Sequence, residues 1–61
     1  MIIINTKTGK NIYKINMLPL NTEVERLRDG RKVTVDTELF SGILNKDDFR
    51  FICSQLFNDK H

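Results

Sequence analysis

The stretch from Asn45 to Phe57 constrains this chain more than any other. Phe49, Ile52, Cys53, Leu56 and Phe57 recur at i, i+3, i+4, i+7 and i+8, the spacing of one helical face. Asn45 has the short acceptor side chain of an N-cap. Asp47 and Asp48 set carboxylates beside the first-turn amides and the positive end of the helix dipole. A stripe of this kind has to lie against apolar surface, so the preceding residues must supply that surface. Phe51 breaks the pattern, because at about 100° per residue it points away from the stripe. Two readings remain open for it: an anchor for a partner, or packing beneath a loop of the same chain.

Residues 2–5 and 11–18 read as strands. In the second, Tyr13, Ile15 and Met17 alternate with Lys14 and Asn16, which is period-2 patterning with one apolar face. Thr6 to Lys10 between them is polar and carries Gly9, as a hairpin loop requires. The first strand is apolar on both faces, which predicts a central or doubly covered position. Pro19 ends the second strand, since it cannot donate to a ladder. Residues 21–30 admit two structures. As a short helix, which the spacing of Val24 and Leu27 favours, Thr22 caps, Glu25 closes a capping box, Leu20 staples and Gly30 terminates. As a hairpin, Asp29 and Gly30 form the turn. Lys32 to Asp36 is a third strand with β-branched residues. Residues 38–44 then form a short helix or an irregular apolar loop. A helix there would make 37–57 a helix–turn–helix-like pair with its corner at Asn45.

These elements predict an α+β fold: a small antiparallel sheet of about three strands, the N-terminal hairpin plus a third strand, packed against the C-terminal amphipathic helix. The chain forms one domain over residues 1–61, with 58–61 expected to fray. The expected core is Ile2, Ile4, Tyr13, Ile15, Met17, Leu27, Val33, Val35, Leu39, Ile43, Phe49, Ile52, Leu56 and Phe57.

A 61-residue chain buries only about 60% of its unfolded surface. A single cysteine cannot form an internal disulfide, and no cysteine–histidine cluster offers a zinc site. Neither metal nor cofactor is expected, and docking on a second copy or on a partner becomes the natural source of extra stability. Cys53 lies within the apolar stripe and reads as a small buried hydrophobe; Arg50 projects elsewhere on the helix and does not activate it. No segment approaches the roughly 18 apolar residues of a membrane span. Met1 to Asn5 reads as a strand and lacks the features of a signal peptide. A cytoplasmic location is therefore expected. Alanine is absent while isoleucine, asparagine and lysine abound, a codon bias toward AT that suits a phage or mobile element.

Catalysis finds little support. His61 is the only histidine and stands last, so a Ser-His-Asp or Cys-His set lacks an ordered base. Asp47 and Asp48 diverge by about 100° on a helix and are explained as helix-start carboxylates. Thr6 to Asn11 resembles the end of a phosphate loop only superficially, because Asn11 stands where a hydroxyl is needed and a strand follows. Two binding readings remain. Lys7, Lys10 and Lys14 on the hairpin give residues 1–22 a charge of +3. Arg28, Arg31 and Lys32, with Arg26, extend that surface toward nucleic acid. The acids interleaved among the arginines weaken it. Protein binding would use Phe51 flanked by Arg50 and Gln55, since aromatics and arginine dominate interfaces. The sequence thus points to a non-enzymatic binding protein that docks on a host protein, or on a copy of itself, and inhibits or modulates it. The alternative is a small nucleic-acid-binding regulator.

Overall fold

A computed structural model describes residues 1–43 and 45–59. Leu44, Lys60 and His61 lie outside the described residues, and with them the ends of the expected 38–44 segment and of the expected frayed terminus. The elements are β1 (Ile2–Asn5), β2 (Asn11–Met17), β3 (Asn21–Arg26), β4 (Arg31–Asp36), a single 3-10 turn (Thr37–Phe40) and α1 (Lys46–Leu56). The strands form one antiparallel meander in the order β1-β2-β3-β4, and α1 crosses its inner face nearest β1. The fold is α+β, with an antiparallel sheet and a C-terminal helix.

The sheet has four strands rather than three, because residues 21–26 are extended. Thr22, Val24 and Arg26 are buried while Asn21 and Glu23 are exposed, so the period is two. The third inward position is an arginine, which hides the alternation from a search for apolar residues. The helix reading of this segment is therefore wrong, and its hairpin alternative is what forms. Leu27 to Gly30 make a four-residue turn in which the Gly30 amide donates to the Arg26 carbonyl at 2.8 Å. The Arg31 amide donates to Asp29 Oδ1 at 3.2 Å. Gly30 sits at φ +73°, a region that glycine enters without a Cβ penalty. Leu27, which a helix would have buried, is 37% exposed.

Register stacks the inner face in rows. Ile2, Ile15, Val24 and Val33 form one row, and Ile4, Tyr13, Arg26 and Arg31 the next. Ile4, Tyr13, Ile15, Val24, Phe40 and Cys53 are buried, with Phe49, Ile52, Leu56 and Phe57 packed against them. Met17, Leu27 and Leu39 were expected in the core and are exposed, whereas Val24 and Phe40 take up its centre. Leu39 and Phe40 exchange roles because 37–40 closes as one 3-10 turn. Phe40 then stacks on Phe49 with centroids 5.5 Å apart, and among the described residues no second α-helix forms to make a helical pair.

β1 is an edge strand, not a central one. Ile2 and Ile4 face the helix, Ile3 pairs with Lys14 on the other face, and Arg50 from α1 donates to the Asn5 carbonyl at 3.2 Å. Opposite Ile4 and Asn5 the register slips, leaving Ile12 as the extra residue of a β-bulge. A bulge of this kind turns the local strand and re-aims its side chains.

Asn45 caps α1 as expected, its side chain accepting from the Asp48 amide at 2.9 Å. At the other end Asn58 adopts φ +57°. The Asn58 amide reaches the Gln55 carbonyl, and the Asp59 amide reaches Ser54 at 2.7 Å. This is the paired bonding of a Schellman cap, with Asn in the left-handed position. Thr22 is fully buried and ties the sheet to the 3-10 turn, its hydroxyl 2.9 Å from that of Thr37. Thr37 in turn donates to the Leu18 carbonyl at 2.6 Å. No described helix is long and apolar enough to cross a membrane.

Candidate functional site

Phe51 is 57% exposed on the outer side of α1. It borders an open groove of about 480 Å³ shared with Thr6, Lys7, Ile12, Asp47 and Arg50. Gln55 follows four residues later, on the same helical face, and is exposed. Arg50 differs from both. Besides its bond to Asn5, its Nη2 pairs with Asp47 at 2.8 Å, so it joins the helix to the β1 edge and builds the groove wall. Asp47 is engaged there, while Asp48 accepts from the Asn45 amide group at 3.1 Å. The two neighbouring carboxylates therefore serve separate contacts.

The basic residues singled out in the sequence divide into two groups. Lys7 and Lys10 sit on the β1–β2 loop, which closes through Thr6: its carbonyl accepts from Gly9 at 3.0 Å and its hydroxyl from the Lys10 amide at 3.1 Å. Arg28 projects from the β3–β4 turn, its side chain 71% exposed, 3.7 Å from Asp59. Lys10 and Arg28 line a second groove of about 570 Å³ that shares Thr6 and Ile12 with the first. Lys14 and Lys32 lie on the opposite face of the sheet, flanking Glu25 in register. Arg31 opens β4, exposed beside Arg26. The hairpin lysines do not form one ribbon, because Lys14 alternates to the outer face.

One cluster was not visible in the sequence. Arg26 is buried, 7% exposed. It meets Asp29 through two bonds, Nε to Oδ1 at 3.1 Å and Nη2 to Oδ2 at 2.7 Å, and it donates through Nη1 to Asp59. Its guanidinium carbon lies 5.0 Å from the Phe57 ring centroid. Phe57 stacks on Tyr13 at 5.8 Å, and the Tyr13 hydroxyl donates to Asp59. The hydrogen bond from Arg26 is the largest influence on the Asp29 carboxyl and pulls it down to about 2; burial opposes it, and the bond from the Arg31 amide adds a smaller lowering. Asp59 is lowered as well, first by the Tyr13 hydroxyl and then by the charge of Arg26. Burial, then the bond to Asp59, pushes the Tyr13 phenol up. Every charged atom of this group faces another member, which suits a clamp holding the C-terminal residues to the sheet. The period-2 position of Arg26 beside Val24 was the available signal. Asp59, 46 residues from Tyr13, offered none.

Cys53 is fully buried, and burial pushes its thiol up to about 12. Among the described residues no group of three or more His, Cys, Asp or Glu side chains converges as a metal site. Neither the family models, nor the curated proteins, nor the solved structures compared with this chain give a match.

Proposed function

We propose that this chain is a non-enzymatic binding protein that docks on a partner protein through the outer face of α1 and thereby inhibits or modulates it. The exposed ring of Phe51 carries the reading. It stands beside an open groove lined by apolar Ile12 and a wall fixed by Arg50, and Gln55 supplies an adaptable polar group one turn along the same helical face. Rigid aromatic anchors set in such surroundings are the groups that dominate protein interfaces. The AT-biased composition supports a phage or mobile element as the source and hence a host protein as the target. Phe51→Ala should leave the far-ultraviolet circular dichroism unchanged while eliminating capture of the partner from nuclease-treated lysate. Undiminished capture by the folded variant would refute the docking surface.

A second reading has its own observation, the gathering of Lys7, Lys10 and Arg28 at one end of the sheet. It predicts capture that nuclease abolishes and that weakens steeply with salt.

A further inference from the structure

We infer that the segment received by this groove is acidic: a short stretch of Asp and Glu beside one apolar side chain. The inference rests on the docking reading and specifies its partner.

The two grooves share Thr6 and Ile12, so they adjoin, one reaching Phe51 and the other Leu27. Among the described residues the lining holds five cations, Lys7, Lys10, Arg26, Arg28 and Arg50, against two carboxylates, Asp47 and Asp59, with a third, Asp29, bound to Arg26. Among the described residues that balance is +2, a local excess of positive charge. The carboxylates are also engaged already: Asp29 and Asp59 hold Arg26, and Asp47 holds Arg50. Among the described residues Lys7 and Lys10 have no ion-pair partner, and Arg28 only the 3.7 Å approach to Asp59. Three exposed cations thus line grooves that share apolar Ile12.

That pattern has a direction. At the Phe51 end Asp47 and Arg50 neutralise one another, so the apolar side chain belongs between Phe51 and Ile12. The acids then run toward Lys10 and Arg28. A nucleic acid fits less well. It presents a phosphate at every nucleotide, far more charge than +2 matches, and its successive bases want several aromatic faces, where among the described residues Phe51 is the one exposed aromatic ring.

Selection of random short peptides on the immobilised full chain tests this directly. Enriched peptides should be net acidic with one aromatic or aliphatic residue. The combined Lys7→Gln, Lys10→Gln, Arg28→Gln variant, whose side chains are all exposed, should bind them roughly tenfold more weakly, as expected for three rim charges. Added salt should weaken the wild type toward the same level. Enrichment of neutral or basic peptides that depend on Phe51 but ignore the three cations would overturn the acidic assignment and leave the docking reading standing. Peptides that bind Phe51→Ala equally well would overturn both. Displacement of the selected peptides by a single-stranded oligonucleotide, at concentrations below those at which they bind, would overturn the inference in favour of nucleic acid.

Discussion

A guanidinium inside so small a domain has to be compensated on every side, and Arg26 meets Asp29, Asp59 and the face of Phe57. Removing the charge would leave Asp29 without its main partner and the mostly buried Asp59 without its nearest cation, and uncompensated charge is what makes such changes costly. Arg26→Met should therefore lower the melting temperature markedly more than Arg28→Met, whose side chain is 71% exposed. Equal losses would show that the cluster does not hold Asp59 to the sheet. Cys53 gives a simpler residue-scale expectation. Buried and kept protonated, its thiol should react with a disulfide reagent only as fast as the chain opens, and at full rate in denaturant. The apolar role of Cys53 was legible from its place in the helical stripe. The buried role of Arg26 was not, because a charged residue at an inward strand position looks like a surface residue until its partners are known.

Elements differed in how openly they were written. The C-terminal helix could be read from its stripe and from Asn45, and Asn45→Ala should lower stability by about 1 kcal/mol in urea unfolding. The N-terminal hairpin was legible for the same reason, a clean alternation beside a glycine-bearing loop. β3 was misread because Thr22, Glu25 and Gly30 imitate helix caps, and local signals cannot weigh the ladder hydrogen bonds that β2 and β4 offer on both sides. Gly30 makes the difference measurable. With nothing within 4 Å of a Cβ placed there, Gly30→Ala meets backbone strain alone and should cost about 1–2 kcal/mol. A helix terminating at Gly30 would also tolerate alanine poorly, so Leu27→Lys provides the contrast. In the hairpin it leaves stability nearly unchanged, whereas in a helix that buries Leu27 it would be severe.

At the scale of the whole molecule, the charged clamp and the buried thiol set the pH range of stability. Asp29 falls from its ordinary value of 3.8 to about 2 on folding, and Asp59 moves in the same direction. The unfolded chain therefore binds more protons near pH 3. The stabilisation is complete above the ordinary carboxylate value and is lost as pH falls through that window. Cys53 rises from 9.0 to about 12 and Tyr13 rises from 10.0, so here the folded chain keeps the protons. Stability is full below pH 9 and declines above it. Urea midpoints measured across pH should show both limbs, and Asp29→Asn should flatten the acid one. The candidate site was half legible. Phe51 announced itself by breaking the helical stripe, but its neighbours Thr6, Lys7 and Ile12 reach it only through the bulge in β2 and the return of α1 to β1. Those depend on the complete sheet.

The docking claim is tested most directly by a photo-reactive phenylalanine analogue placed at position 51, with a second chain carrying it in place of Leu20. Leu20 is 81% exposed, in the turn at the other end of β2. The account predicts light-dependent crosslinking to a protein from position 51 and none from position 20. Crosslinking from position 20 alone, or from position 51 only to nucleic acid, would contradict it.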